Sequence, residues 1–241
     1  MCPQLASKPG PFRCGKCPTK LPARCHKFFR WLVWPGSRCK FKISLVEPET
    51  KLTLNQSESY PLKPSVNIRT RPSLGQADWL RKSNAFERFL NLTLSLIHPQ
   101  LFKCGLDMLL KLRVSEHTME IANKWQSVYT GIAIISNRVT PPHRDSKGKP
   151  EWFDLLMNYA GTGANPNLLI NDLGLELGYP SGTVIGLCGT IFEHEVRSWG
   201  DGDRVCYAHF MREAVRKRLG AADPGWVYQS MYLPDSGTGK I

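Results

Sequence analysis

A histidine and an aspartate, His143 and Asp145, lie two positions apart in the stretch NRVTPPHRDSKGKPEWFD. On an extended backbone the side chains of residues i and i+2 point to the same side, so these two groups can reach a common point. An imidazole together with a carboxylate suits a divalent first-row metal such as iron(II), which two histidines and one carboxylate commonly hold. His-x-Asp also occurs by chance in polar loops, so the pair alone does not identify a metal site. A site of this kind needs a third ligand, a second histidine from elsewhere in the chain.

His194 is the candidate for that third ligand. It comes late in the β-prone stretch GTIFEHEV, 51 residues after His143, and a Gly-Asp-Gly turn signal follows it. The chain then continues as RVCYAHFMR, which begins with Arg204, ten residues after His194. We expect a hairpin that brings Arg204 near the metal, where its guanidinium can bind a carboxylate through two parallel hydrogen bonds. A dicarboxylate cosubstrate could then contact the metal at one end and Arg204 at the other.

The elements that must position these residues change in character along the chain. Residues 76–125 carry apolar side chains spaced three and four apart, with a break at Pro99, which predicts two or three helices. Short β-prone stretches separated by Gly, Asn, Pro and Asp follow, at 130–139, 153–160, 167–174, 182–196 and 203–212. Helices that precede strands in this way predict an α+β fold in which the helices buttress a β-sandwich or jelly roll.

Positive charge is concentrated near the start of the sequence. The 241-residue chain has a net charge of +12, and residues 1–50 contain ten lysines and arginines against two acidic residues. A segment of this kind favours a polyanionic partner such as nucleic acid, and a solvated segment that binds nothing specific is the alternative. Cys14 and Cys17, with Cys25 nearby, leave a structural zinc site open, although their spacing matches no common zinc module.

We divide the chain into four parts. A basic, cysteine-rich arm over 1–50 is expected to be disordered, a polar linker covers 51–75, a folded domain covers 76–220 and a C-terminal tail covers 221–241. No run of about 18 apolar residues occurs, which predicts that the protein has no membrane span. The first residues lack the apolar segment of a secretory signal, so we expect a reducing compartment. The sequence indicates no particular protein partner.

The ordered set of His-x-Asp, a later histidine and an arginine ten residues beyond it is the sequence plan of iron(II)- and 2-oxoglutarate-dependent dioxygenases. Two stretches narrow the resemblance further: GIAIISNRVTPPHRDSKGKPEWFDLLMNYAG and GTVIGLCGTIFEHEVRSWGDGDRVCYAHFMR. Together they resemble the TET/JBP family of thymine and 5-methylcytosine oxygenases, most closely its compact fungal members. The resemblance covers roughly residues 75–218. It implies a double-stranded β-helix (jelly-roll) core buttressed by N-terminal helices.

The resemblance also implies the activity and the roles of the site residues. His143, Asp145 and His194 match the iron(II) ligands, Arg204 matches the arginine that binds 2-oxoglutarate, and Arg138 matches a second basic residue near this cosubstrate. A surface or phosphate contact is the alternative for Arg138. With O2, such an enzyme oxidises a methyl group on a base of double-stranded DNA, here most simply 5-methylcytosine to its hydroxymethyl, formyl and carboxyl forms.

Residues that could contact the base follow from strand parity. If Arg204 points into the barrel, Phe210 and Arg212 do so too, and they could stack on a base turned out of the duplex and bind its edge. The family often has histidine where Arg212 stands, and often Asn or Asp where this chain has Gly148. Asp154 could replace that Asn or Asp, with a turn or cap residue as the alternative. These departures leave the choice of base open.

Three other functions remain possible at this point. The chain could be an N6-methyladenine demethylase of the same fold, or a non-catalytic DNA-binding protein of a mobile element. It could also be a nucleic-acid binder that depends on zinc at the N-terminal cysteines. A chromosomal substrate leads us to expect nuclear localisation, for which the basic run VRKR at 215–218 gives weak support.

Overall fold

The computed structural model describes residues 39–45, 62, 64, 80–160 and 163–232. Most of the predicted arm and linker lies outside the described residues, as do the cysteines considered as zinc ligands. Within the described residues, no helix is both long enough and apolar enough to cross a membrane.

In the described residues, three helices come before most of the strands, as the sequence predicts. They are α1 (Asn84–Ile97), α2 (Pro99–Val114) and the short α3 (Met119–Ala122). The break between α1 and α2 is sharp because Pro99 begins α2, where its missing N–H costs nothing. The buried His98 accepts a hydrogen bond at Nδ1 from the backbone N–H of Leu101 and so caps α2.

Nine strands in the described part of the chain form two antiparallel sheets. The larger sheet has the order β1-β2-β9-β4-β7, and the smaller has the order β3-β8-β5-β6. The strands are β1 (Cys39–Ser44), β2 (Gly131–Ser136), β3 (Thr140–His143), β4 (Asp154–Ala160), β5 (Asn167–Ile170), β6 (Leu175–Gly178), β7 (Val184–Leu187), β8 (His194–Val196) and β9 (Arg204–Phe210). A last helix, α4 (Glu213–Arg218), follows β9.

The larger sheet is covered on both faces, so all six residues of β2, GIAIIS, are buried, and five of them are apolar or glycine. Ile132 and Ile134 pack with Leu90 and Leu94 of α1 in the main core between helices and sheet. The same face of β9 carries the fully buried His209. Side chains on the opposite face of the larger sheet face the smaller sheet. The second apolar cluster lies between the two sheets: Leu156, Leu168, Ile170, Tyr179, Leu187 and Val196.

One polar contact fastens α1 to the back of the larger sheet. The ring Nε2 of His209 lies 3.1 Å from Oε1 of Glu87, and both side chains are almost completely buried. A buried carboxylate requires such a partner, because leaving it unpaired away from water is costly. The contact fixes the helices against β9 on the face opposite to the cavity described below.

The structure differs from the sequence interpretation in three places. The expected arm over 1–50 contains Cys39–Ser44, which pairs with β2 as an edge strand because CKFKIS alternates polar and apolar residues. The β-prone stretch 182–196 is two strands, β7 in the larger sheet and β8 in the smaller. Residues 197–203 are therefore a crossover between the sheets, and the hairpin predicted between His194 and Arg204 is wrong.

Candidate active site

His143 and His194 are direct partners in neighbouring strands. His143 ends β3 and His194 begins β8, and the two residues are opposite one another in the antiparallel register. Their ring centroids are 4.3 Å apart. Asp145 follows two residues after His143, with its Oδ1 4.0 Å from Nε2 of His143 and its Oδ2 3.9 Å from Nε2 of His194. One candidate ligand atom from each residue lies within 4.8 Å of those of the other two, so a single metal ion could bind all three.

The hydrogen bonds of the two imidazoles involve the same nitrogen, Nδ1, in each ring. Nδ1 of His143 lies 3.0 Å from the carbonyl of Pro141 and 3.2 Å from that of His194. Nδ1 of His194 lies 3.0 Å from the carbonyl of Phe192. Because a carbonyl can only accept, Nδ1 carries the proton in the neutral ring, and Nε2 presents its lone pair towards Asp145. Backbone carbonyls orient metal-binding histidines in this way in many proteins.

Arg144, between the two candidate ligands of the HRD stretch, points away from them. Its Nε donates to the carbonyl of Ile191, and its Nη2 donates to Oδ1 of Asp172 at 2.6 Å. These contacts anchor the loop to the turn that precedes β8 and to the turn between β5 and β6. Arg144 therefore helps to hold the loop that carries the two candidate ligands.

Gly189 lies directly beside Asp145, although the sequence interpretation did not single it out. It belongs to the turn that carries the chain from β7 to β8, where the N–H groups of Ile191 and Phe192 both donate to the carbonyl of Cys188. The backbone N–H of Asp145 donates to the carbonyl of Gly189 at 2.8 Å. Burial raises the pKa of the Cys188 thiol to about 11, so this neighbour stays neutral at physiological pH. An isolated glycine inside a β-prone stretch was the signal in the sequence for such a close approach.

Arg204 is a buried cation on the same cavity. Its side chain is only 1% exposed, yet no carboxylate of a described residue lies within 4.0 Å of its guanidinium. Its Nε has no hydrogen-bond partner among the described residues, and Nη1 donates weakly, at 3.5 Å, to the carbonyl of Arg138. The rings of Tyr179 and Trp199 lie 5.8 and 6.0 Å from its Cζ. A buried guanidinium with unused donors is a binding site for an anion, and a carboxylate matches its fork.

An open cavity of about 130 Å³ between the two sheets joins these groups. His143, Asp145, His194 and Arg204 all line it. Strand parity holds along the whole of β9 and just beyond it, because every second side chain from Arg204 faces the cavity: Arg204, Cys206, Ala208, Phe210 and Arg212. The intervening Tyr207 packs against the helices with Phe86.

The other residues considered as substrate contacts occupy different places. Asp154, at the start of β4, lines the cavity, and its Oδ2 lies near the same face of Gly189 as the Asp145 carboxylate. The Arg212 guanidinium lies 5.5 Å from the centroid of the Phe210 ring. Arg138 is exposed, and its side chain is not among those that line the cavity. Its role near the cosubstrate stays a prediction.

The donor set fits iron(II) and 2-oxoglutarate. Two neutral imidazole nitrogens and one carboxylate are the ligands of non-haem iron(II) sites with open positions. His143, Asp145 and His194 would hold the metal. Arg204, which lines the same cavity, would bind the distal carboxylate of the cosubstrate. The observation that supports this role is its buried Nε, which has no hydrogen-bond partner among the described residues.

Comparison with protein-family models finds no match for this chain, and comparison with curated proteins finds none either. Among solved structures, NgTET1 in complex with 5mC DNA superposes with a TM-score of 0.53 at 14% sequence identity, covering 73% of this chain and 62% of that one. A Cupin 2 conserved barrel domain protein from Salinispora arenicola aligns at a TM-score of 0.27, with 17% identity over 37% of this chain and 69% of its own. An RmlC-like cupin protein from Desulfovibrio desulfuricans aligns at 0.24, with 16% identity over 32% and 71%.

The fold is thus α+β, a double-stranded β-helix (jelly-roll) core buttressed by N-terminal helices, as the sequence predicts. Together with the group of His143, Asp145 and His194, it defines a jelly-roll protein with a candidate metal centre between its sheets. The superposition on NgTET1 shows that this chain shares its fold, over about three fifths of that protein's length.

Proposed function

We propose that the protein is an iron(II)- and 2-oxoglutarate-dependent dioxygenase that oxidises a methyl group on a base of DNA, foremost 5-methylcytosine. One observation carries the proposal. The three converging metal-ligand candidates share a single cavity with the buried guanidinium of Arg204, whose Nε has no partner among the described residues. Structural ion pairs do not explain this arrangement, because a buried arginine that serves only the fold normally has a carboxylate partner.

Each residue would have a definite task. His143, Asp145 and His194 would hold the metal. The Nδ1 atoms of the two histidines are bound to backbone carbonyls, which keeps both Nε2 lone pairs directed at it. Arg204 orients the cosubstrate through its distal carboxylate. When bound, iron(II) with 2-oxoglutarate and O2 supplies the oxidising chemistry that converts a methyl group to a hydroxymethyl group, with succinate and carbon dioxide as by-products. Apolar side chains line part of the cavity, among them Leu156, Leu168 and Val196.

A methyl group on a base inside a duplex is out of reach of such a cavity, so the base must be turned out of the helix. Phe210 offers a ring on which a base could stack, and the carboxylate of Asp154 and the guanidinium of Arg212 could contact its edge. The net charge of +12 favours binding of the phosphate backbone, and Lys147 is exposed beside the cavity. NgTET1, which shares the fold, was solved in complex with 5mC DNA. A chromosomal substrate would place the protein in the nucleus.

The test is turnover by the full chain with iron(II), 2-oxoglutarate and O2 on duplexes that contain 5-methylcytosine, thymine, N6-methyladenine or no modification. Modified nucleosides are identified by mass spectrometry and succinate is measured in parallel. We expect oxidised 5-methylcytosine from the wild type, no product from His143→Ala and Asp145→Ala, and near wild-type turnover from the control His117→Ala, at an exposed position outside the site. Turnover that survives both ligand changes would refute the metal assignment, and product from N6-methyladenine alone would redirect the substrate assignment.

A further inference from the structure

Tyr179 is a buried phenol on the wall of the cavity to which neither the sequence nor the comparisons point. Its side chain is 0% exposed, and it lines the cavity on the side of Arg204. The Cζ of Arg204 lies 5.8 Å from the centre of its ring. Within the described residues its hydroxyl has one hydrogen-bonding partner, the thiol of Cys206 at 3.6 Å. A thiol is a weak donor and a weak acceptor, so this contact satisfies a buried phenol poorly.

Backbone hydrogen bonds hold Tyr179 in place independently of its hydroxyl. Its N–H donates to the carbonyl of Pro166 at 2.8 Å, and its own carbonyl accepts from Nδ2 of the fully buried Asn158 at 2.6 Å. Asn158 lies on β4 and is itself bonded on both sides, to Thr183 and Gly182. These bonds fix the backbone of Tyr179, and the apolar cluster between the sheets packs around its side chain. Loss of the hydroxyl alone leaves all of these contacts intact.

The surroundings of Tyr179 keep its phenol protonated, and the charge of Arg204 acts on the pKa of the same group. Burial is the main reason that the pKa of Tyr179 lies well above its ordinary value, and the neighbouring Cys206 raises it further. The Arg204 guanidinium opposes this rise, so the cation acts on the phenolic oxygen. At physiological pH the site thus combines a fixed cation with a neutral O–H donor.

We propose that the Tyr179 hydroxyl donates a hydrogen bond to the distal carboxylate of 2-oxoglutarate, beside Arg204, and so acts as a positioning residue. The inference rests on the proposed function, since it assigns a second donor to the same anion site. A carboxylate has two oxygens and several lone pairs, more than one guanidinium contact uses. Exchange of the weak thiol contact for a charge-assisted hydrogen bond would satisfy the phenol and tighten the hold on the cosubstrate.

The competing explanation is that Tyr179 only fills space, because it also packs in the apolar cluster with Leu156 and Val196. The two explanations differ in which ligands should be sensitive to the hydroxyl. A donor to the distal carboxylate matters for 2-oxoglutarate and not for 2-oxopentanoate, which has the same chain length and lacks that carboxylate. A residue that only shapes the cavity affects both ligands alike.

The experiment measures binding to the full chain loaded with Mn(II), by calorimetry for 2-oxoglutarate and by competition for 2-oxopentanoate. For Tyr179→Phe we expect about tenfold or greater loss of 2-oxoglutarate affinity, as for a lost hydrogen bond to a charged group, and an unchanged affinity for 2-oxopentanoate. The control Tyr159→Phe, at an exposed position of β4, should change neither. Cys206→Ala removes the thiol and keeps the phenol, so it should retain 2-oxoglutarate binding.

Three outcomes would overturn the assignment. Unchanged 2-oxoglutarate affinity in Tyr179→Phe, or equal losses for both ligands, would show that the hydroxyl does not contact the distal carboxylate. Matching losses in Tyr179→Phe and Cys206→Ala would show that the pair only shapes the cavity. Failure of the wild type to bind 2-oxoglutarate would refute the proposed function itself, whereas failure confined to the variants concerns Tyr179 alone.

Discussion

Gly189 and Asp145 approach so closely that no side chain fits between them. A Cβ atom built on Gly189 would lie 2.6 Å from Oδ2 of Asp145 and 3.3 Å from Oδ2 of Asp154. The backbone bond from the Asp145 N–H to the Gly189 carbonyl prevents the two segments from moving apart. The turn between β7 and β8 therefore sets the position of the carboxylate that the candidate metal centre needs.

Gly189→Ala should displace the Asp145 carboxylate and weaken metal binding by about tenfold or more, the usual effect of disturbing the residues that orient a ligand. The measurement is Mn(II) affinity by calorimetry. Gly178→Ala is the matched control, since a Cβ there meets nothing within 4 Å and should leave the affinity unchanged. Equal affinities in the two variants would mean that the carboxylate does not ligate the metal in the position described.

We expect Arg204 to lower the free energy of unfolding of the protein while it serves the binding of the cosubstrate. Because its buried charge lacks a carboxylate partner among the described residues, Arg204→Met should unfold with a free energy equal to that of the wild type or higher, by up to about 2 kcal/mol. The same change should lower 2-oxoglutarate affinity by roughly 100-fold, because it removes one member of a buried charge pair. Urea unfolding and calorimetry measure the two effects on the same protein.

The control for this change is Arg113→Met. The Arg113 guanidinium donates to the carbonyls of Ala122 and Trp125, so it serves the fold. This variant should lose stability and keep its affinity for 2-oxoglutarate. A large loss of stability in Arg204→Met, comparable to that of the control, would contradict the assignment of Arg204 to an anion site.

Metal binding should stabilise the folded protein through His194. At a Mn(II) concentration about 100 times the dissociation constant, binding contributes roughly 2.7 kcal/mol, which in a chain of this size raises the Tm by about 5–10 °C. A chelator should reverse the rise. His194→Ala should abolish it, whereas His117→Ala, at an exposed position between α2 and α3, should not. A rise that persists in His194→Ala would place the metal elsewhere.

The parts of this site that depend on local spacing could be predicted from the sequence. Strand geometry predicts that His143 and Asp145 point to the same side and that side chains alternate along β9 from Arg204 to Phe210. The structure has the alternation, and it brings His143 and Asp145 together although β3 ends at His143 and Asp145 lies just beyond it. The order of helices before strands likewise predicted the α+β class.

The parts that depend on contacts between distant segments could not be predicted. Nothing local distinguishes a hairpin from a crossover after His194, because both need the same turn residues, and the two strands belong to different sheets. Tyr179 lies beside Arg204 through contacts with distant segments, since its backbone is hydrogen-bonded to Pro166 and to Asn158 on β4. Gly189 contacts Asp145, which is 44 residues earlier in the chain. The glycine in the sequence indicated a close approach, and nothing in the sequence showed which residue would approach it.

A charged contact joins the loop after the candidate metal ligands to the C-terminal segment. The Lys149 ammonium donates to Oδ2 of Asp223 at 2.6 Å, and the Arg216 guanidinium lies 3.8 Å from the same oxygen. The hydrogen bond from Lys149 is the main reason that the pKa of Asp223 lies below its ordinary value. Since Asp223 is 44% exposed, solvent limits the contribution of this contact to about 1 kcal/mol or less.

The lowered pKa of Asp223 gives this contribution a definite dependence on pH. It is fully present above the pKa of the unfolded chain, about 3.9, and it is lost as the pH falls through the lower pKa of the folded state. Asp223→Asn should therefore be less stable than the wild type at pH 7, and the difference should shrink towards zero on acidification. Urea unfolding of both proteins across this range measures the difference. A gap that stays constant or widens at low pH would show that Asp223 acts through packing and not through its charge.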